Sequence, residues 1–124
     1  MIYYENNKLE LRIGKIEYKF DDFVQAINQI ITAIYSIYIE DKEEYNMTFN
    51  NNLEILMKKT KNNNNLECLF KEEKRNINLQ ILLNEINDAC EGYFSTHSID
   101  NEIKFEYDKY QKIKNLFRVR NSYE

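Results

Sequence analysis

Lys8-Leu9-Glu10-Leu11-Arg12-Ile13-Gly14-Lys15-Ile16-Glu17-Tyr18-Lys19-Phe20 is the stretch that decides the fold. Gly14-Lys15 suits a two-residue type II′ turn, because glycine takes the first central position without a Cβ clash. Closing the chain there pairs Ile13 with Ile16, Leu11 with Tyr18 and Leu9 with Phe20, all on one face. The opposite face then sets Arg12 against Glu17 and Glu10 against Lys19. Such cross-strand charge pairs contribute roughly a few tenths of a kcal/mol each. A slip of one residue would spoil both faces at once. Upstream, Asn6-Asn7 supplies a second two-residue turn, since Asn tolerates positive φ. It pairs Glu5 with Lys8, Tyr4 with Leu9 and Ile2 with Leu11, and extends the same apolar face. A three-stranded meander is predicted.

Asp21-Asp22 ends the alternation, and either carboxylate can cap a helix and favour its positive end. Phe23, Ile27, Ile30, Ile34, Ile37 and Tyr38 follow at helical spacing. The acidic stretch Glu40, Asp41, Glu43, Glu44 closes this first unit, residues 1–40, and leads into the next.

The pattern then recurs over residues 45–95. Tyr45, Met47 and Phe49 alternate, Asn50 to Asn52 turn, and Leu53, Ile55 and Met57 alternate back. A three-residue turn pairs Phe49 with Leu53 and Met47 with Ile55. Closing the next hairpin around Thr60 to Asn63 pairs Met57 with Leu66, Ile55 with Cys68 and Leu53 with Phe70. Lys71 to Arg75 reads as a charged linker, and a second helix is predicted from about Asn78 to Phe94. The two helices align with Phe23 on Leu79, Ile30 on Ile86 and Tyr38 on Phe94, so a tandem βββα duplication is one reading of the chain. Ser98 can cap a third helix over about 98–120 with Ile99, Ile103, Tyr110, Ile113, Leu116 and Phe117 buried. Alternation of Ile103, Phe105 and Tyr107 offers a short strand instead. The expected class is α+β, with antiparallel meander sheets and three helices in a single domain of 124 residues.

Composition narrows the function. With no proline and two glycines, the turns fall to Asn, and richness in Asn, Ile, Lys and Tyr fits an AT-rich genome. A net charge of −4 argues against nucleic-acid binding by the whole domain. Met1 to Glu5 has none of the marks of a signal peptide, and no apolar run nears the ~18 residues of a membrane span. A cytoplasmic chain with no membrane partner is expected, with Cys68 and Cys90 as buried, reduced thiols.

No residue reads as catalytic, and no metal ligand set or cofactor motif is present in the sequence. Cys90 and the single histidine, His97, could in principle meet, but a core thiol beside a helix-junction histidine is the plainer account. Three surfaces remain. Glu40, Asp41, Glu43 and Glu44 form an acidic cluster at a helix C-terminus, where the dipole disfavours it. Leu56 and Leu69 fall on the outer face of the second meander, which implies a covering helix, a homodimer contact or a partner. Lys109, Lys112, Lys114, Arg118 and Arg120 form a basic C-terminal face with interleaved aromatics. The expected function is a non-catalytic protein-binding inhibitor, such as an immunity protein, an antitoxin or a phage anti-defence protein. Its partner would be a basic toxin or nuclease domain. The alternatives are a nucleic-acid-binding or regulatory protein using the basic face, and a ligand sensor or enzyme with a hidden pocket.

Overall fold

The computed structural model describes residues 1–49, 52–62, 64–97 and 105–117. β1 (Ile2–Glu5), β2 (Lys8–Ile13) and β3 (Ile16–Phe20) form a three-stranded antiparallel sheet in sequence order. Its register is the one the turns and charges predict, with Ile13 opposite Ile16, Leu11 opposite Tyr18 and Ile2 opposite Leu11. Asn6 and Asn7 both take positive φ, as a type I′ turn needs, and Gly14 sits at φ 61. Ile2, Leu9, Leu11 and Ile13 are buried, while Tyr4, Ile16, Tyr18 and Phe20 pack partly buried against the same core.

The outer face of this sheet departs from expectation at one residue. Glu10 is opposite Lys19, but it is buried, and the cation that reaches it is Arg12, whose Nε donates at 3.0 Å. Glu10 stands on the central strand, with Tyr3 of β1 and Lys19 of β3 opposite it.

α1 (Phe23–Tyr38) starts at Asp22, whose Oδ1 accepts the Gln25 N–H at 3.1 Å. Its stripe of Phe23, Ile27, Ile30, Ile34 and Ile37 is almost wholly removed from solvent. Each such side chain contributes about 1.5–3 kcal/mol of burial.

β4 (Glu44–Thr48), β5 (Glu54–Lys59), β6 (Asn65–Phe70) and β7 (Glu73–Asn78) make a second antiparallel sheet, again in sequence order. Met47 is opposite Ile55 as predicted, and the Phe49 N–H donates to Leu53 O. The next hairpin needs correction. Met57 pairs with Cys68 and Lys59 with Leu66, two residues away from the expected register. The side-chain faces survive, because a two-residue shift preserves the alternation. The cause is the loop, where the Thr60 hydroxyl lies 2.7 Å from Asn62 O and 3.0 Å from Asn65 O, and the closure is wider than a tight turn.

The supposed linker is also corrected. Lys71-Glu72 is a two-residue turn with Lys71 at φ 55, and Glu73 to Arg75 open β7. The second unit therefore has four strands before its helix, and β6-β7 stand in the place of β2-β3. α2 (Leu79–Phe94) is capped by Asn78, and like α1 it has 16 residues.

The two halves are laced together. α1 lies along β4, and α2 lies along β1, so each helix covers an edge of the other sheet. Gly92 permits the second approach, since a Cβ there would come within 2.7 Å of the Tyr4 ring. Phe23 stacks on Tyr93 at 4.3 Å, Tyr18 meets Phe70 edge-on at 5.6 Å, and Phe20 stacks on Phe49 at 4.8 Å. α3 (Tyr107–Phe117) docks on α1. Phe105 and Glu106 precede it without forming a strand. Tyr110 and Ile113 are buried as expected, but Leu116 is 54% exposed. The predicted cap at Ser98 and the residues Ile99 and Ile103 lie outside the described residues. No helix among the described residues is long and apolar enough to cross a membrane.

Candidate functional site

The acidic cluster is built where α1 ends. Asp41 turns the chain out of the helix at φ 57, a conformation Asp tolerates better than most residues. Lysines of β5 then meet the carboxylates. Lys59 Nζ lies 2.8 Å from Asp41 Oδ1, and Lys58 Nζ lies 4.0 Å from Glu44 Oε2. Lys42 approaches Glu40 at 3.9 Å. The hydrogen bond from Lys59, and then its charge, hold the Asp41 carboxyl below the usual range. The cluster is thus compensated across the β4–β5 ladder, a pairing that sequence neighbours alone do not reveal.

Leu56 and Leu69 face each other directly across β5 and β6, on the side turned away from the core. Each is half-buried. Along the same cross-strand row they are flanked by Asn46 of β4 and Lys74 of β7. Glu54 and Lys58 precede and follow Leu56 on that face, and Glu67 stands beside Leu69 with Lys74 Nζ at 3.2 Å. Glu54 has no ion-pair partner among the described residues. α3, one candidate for a covering helix, packs on α1.

Three basic residues of α3 lie over aromatic rings. Lys109 and Lys112 sit 5.7 and 5.9 Å from the Tyr35 ring, and Lys114 sits 5.1 Å from Tyr110. The stems of Lys109 and Lys112 help fasten α3 to α1, whereas Lys114 lies over a ring of its own helix. Arg118 and Arg120 lie outside the described residues.

The thiols are core groups. Burial pushes both Cys68 and Cys90 up to about 12, far from the thiolate that nucleophilic chemistry needs. His97 is engaged elsewhere. Its ring stacks on Tyr93 at 4.1 Å, and its Nδ1 lies 3.0 Å from Tyr93 O and 2.9 Å from Thr96 Oγ1. Among the described residues no group of His, Cys, Asp and Glu is placed to hold a metal ion.

Sequence reasoning passed over two features. Glu10 forms the floor of a polar pocket of about 160 Å³ rimmed by Glu5, Lys8 and Lys19. A groove of about 390 Å³ runs between the β7 edge and the first sheet, with Arg12, Arg75, Ile77 and Ile81 along it. Arg12 lies 4.4 Å over the Tyr3 ring, and Ile81 is 58% exposed. The signal for Glu10 was a charge between two core leucines, Leu9 and Leu11, on a central strand. For Arg75 no signal existed while its strand was taken as a linker.

No protein-family model, no curated protein and no solved structure matches the chain.

Proposed function

We propose that this protein is a non-catalytic, protein-binding inhibitor of the immunity-protein, antitoxin or anti-defence kind. Its contact surface is the outer face of the four-stranded sheet. One observation carries the reading: Leu56 and Leu69 form a cross-strand apolar pair on a face turned away from the core. An apolar centre with a polar rim is the composition of a protein interface. The rim here is rich in carboxylates, with Glu44, Glu54 and Glu67 on the sheet and Glu40, Asp41 and Glu43 beside it. The net charge of −4 has the same sign. A basic protein domain is the complementary partner, and rim charges of this kind act chiefly on the rate of encounter. A cytoplasmic setting is part of the proposal.

The test begins with affinity capture from native-host lysate by the wild type and by Leu56→Asp, followed by kinetics with the purified captured partner. The expected result is a partner bound by wild type and lost with Leu56→Asp or Leu69→Asp, while each variant stays folded at a cost of about 1 kcal/mol. Association should slow as salt rises, and changing Glu40, Asp41, Glu43 and Glu44 to the amides should reduce the on-rate most. Leucine variants that bind the same partner as tightly as wild type would overturn the proposal.

A further inference from the structure

The sheets have four edges, and the helices attend to two of them. α1 runs beside β4 and α2 beside β1. Among the described residues β3 and β7 end their sheets without a ladder partner. The two open edges differ in character. β7 presents Lys74, Arg75 and Asn76 in succession, the kind of polar run that keeps an edge from pairing. β3 is Ile16-Glu17-Tyr18-Lys19-Phe20, which reads as its own complement when reversed about Tyr18.

We propose that β3 is a self-association edge, on which a second copy of this chain docks antiparallel with Tyr18 opposite Tyr18. In that register Glu17 faces Lys19 of the second copy at both ends, and Ile16 faces Phe20.

The backbone agrees with the side chains. A two-residue hairpin makes its first pair hydrogen-bonded, here Ile13 with Ile16. Leu11–Tyr18 and Leu9–Phe20 then share that character, so Ile16, Tyr18 and Phe20 turn their N–H and C=O groups toward β2. Glu17 and Lys19 turn theirs outward. Among the described residues, those whose backbone groups have no ladder partner are therefore the residues with complementary charges. Docked as proposed, each Glu17–Lys19 pair exchanges two backbone hydrogen bonds, and the tyrosines occupy the wide site between them.

Neighbouring registers fail. A slip of one residue sets an outward-facing residue against an inward-facing one. A slip of two sets Glu17 against Glu17 with Lys15 against Lys19, or Lys19 against Lys19 with Glu17 against Asp21. Lys19 is exposed and has no ion-pair partner among the described residues, and Glu17 holds only a 3.6 Å approach from Arg12.

The test is sedimentation velocity over a concentration series, with circular dichroism to confirm folding. Wild type should dimerise reversibly. Glu17→Lys alone sets lysine against lysine at both ends of the pairing, and Lys19→Glu alone sets glutamate against glutamate, so each variant should be monomeric. An equimolar mixture of the two should form a heterodimer, because one copy then offers two lysines to the other copy's two glutamates. The double variant carrying both changes should dimerise with itself. Leu56→Asp should leave the dimer intact, which separates this edge from the proposed partner face. A wild type that stays monomeric throughout overturns the proposal. So does a mixture that fails to associate, or a dimer that Leu56→Asp dissolves.

Discussion

The two sheets solve the same problem with different outer faces. In the three-stranded sheet the face away from the core carries charged and aromatic side chains that engage one another. Glu10 is buried under its neighbours, Arg12 bonds it and lies over Tyr3, and Lys8 reaches Asp21 at 2.9 Å. In the four-stranded sheet the corresponding face carries Leu56 and Leu69, with ion pairs only around them. The inner faces are alike, and both feed one continuous core. The difference shows that one outer-face carboxylate can be buried while the residues around it stay exposed.

The largest test of the shared core compares Leu9→Ala on β2 with Met57→Ala on β5. Both side chains are fully buried. Each truncation should cost about 2–5 kcal/mol, from lost transfer energy and the cavity left behind. If the halves are one cooperative unit, either change should move a single denaturant transition monitored by circular dichroism. Two separate transitions, one per variant, would show instead that the sheets unfold independently.

The thiols report on the second half alone, since both lie at or beyond β6. With each raised from 9.0 to about 12 by burial, the thiolate fraction at neutral pH falls about a thousandfold relative to an exposed cysteine. Labelling of the native protein should be slower by that order. The folded state holds these protons more tightly than the unfolded state. Their stabilisation is therefore complete below about pH 9, and it is lost as pH rises toward 12. Rapid native-state labelling at neutral pH would contradict the buried placement.

α3 has no counterpart in the first half, and one buried hydrogen bond ties it down. The Tyr110 hydroxyl donates to Asn87 Oδ1 at 2.8 Å, and burial raises the phenol well above its ordinary range. Tyr110→Phe leaves Asn87 Oδ1 without that donor and should cost about 1–3 kcal/mol. Amide exchange should then speed up in α3 before it does in either sheet. Uniform loss of protection would mean that α3 belongs to the core as tightly as the strands do.

How far the sequence could be read follows from the same contrast. Tight turns with φ-permissive residues, Asn6-Asn7 and Gly14-Lys15, fixed the first sheet to the residue, because a two-residue turn admits one register. The Asn-rich loop between β5 and β6 admits several, and side-chain alternation is blind to a shift of two. β7 was hidden because an edge strand need not alternate. Its polar run Lys74-Arg75-Asn76 is what an edge needs and what a linker resembles. Of the candidate surfaces, the outward placement of Leu56 and Leu69 was legible from alternation alone. The lysines that compensate the acidic cluster were not, since Lys58 and Lys59 come close only through strand pairing. The burial of Glu10 escaped because burial on an outer face depends on neighbouring side chains and not on period.

Equivalent turns offer a smaller and sharper comparison. Gly14 and Lys71 each lead a two-residue turn into the last strand before a helix, at φ 61 and φ 55. Gly14→Ala should cost about 1–2 kcal/mol in left-handed strain. Its new Cβ would also collide with the Glu73 carboxylate, although that side chain can swing away. Lys71→Gly relieves the same strain and should stabilise by up to about 1 kcal/mol after the entropy cost of glycine. If the signs were the same, the two turns would not be equivalent.

The smallest effects concern the lysines that tether the chain just after β3 and just after α1. Lys8 holds Asp21 at 2.9 Å, and Lys59 holds Asp41 at 2.8 Å. The geometries match, but the settings do not. Both side chains of the first pair are at least 50% exposed, whereas Lys59 is only 22% exposed and its own N–H also donates to Glu43 O. An exposed pair gains little, because water screens it and two side chains must be held still. Asn is the right replacement in both cases, since it keeps the shape and tolerates the positive φ of Asp41, leaving charge as the one variable. Asp21→Asn should leave the thermal midpoint within replicate scatter, and Asp41→Asn should lower it slightly. The sign with pH follows from the lowered Asp41 carboxyl. Its contribution is present above the unfolded carboxylate range and is lost as pH falls through the folded value. The gap between wild type and Asp41→Asn should therefore close in acid, and it should narrow in high salt at neutral pH. A gap that persists under both conditions would mean that Asp41 acts through its turn geometry and not through Lys59. The acidic loop would then be a structural corner, and the rim it lends to the Leu56–Leu69 face would rest on Glu44, Glu54 and Glu67 alone.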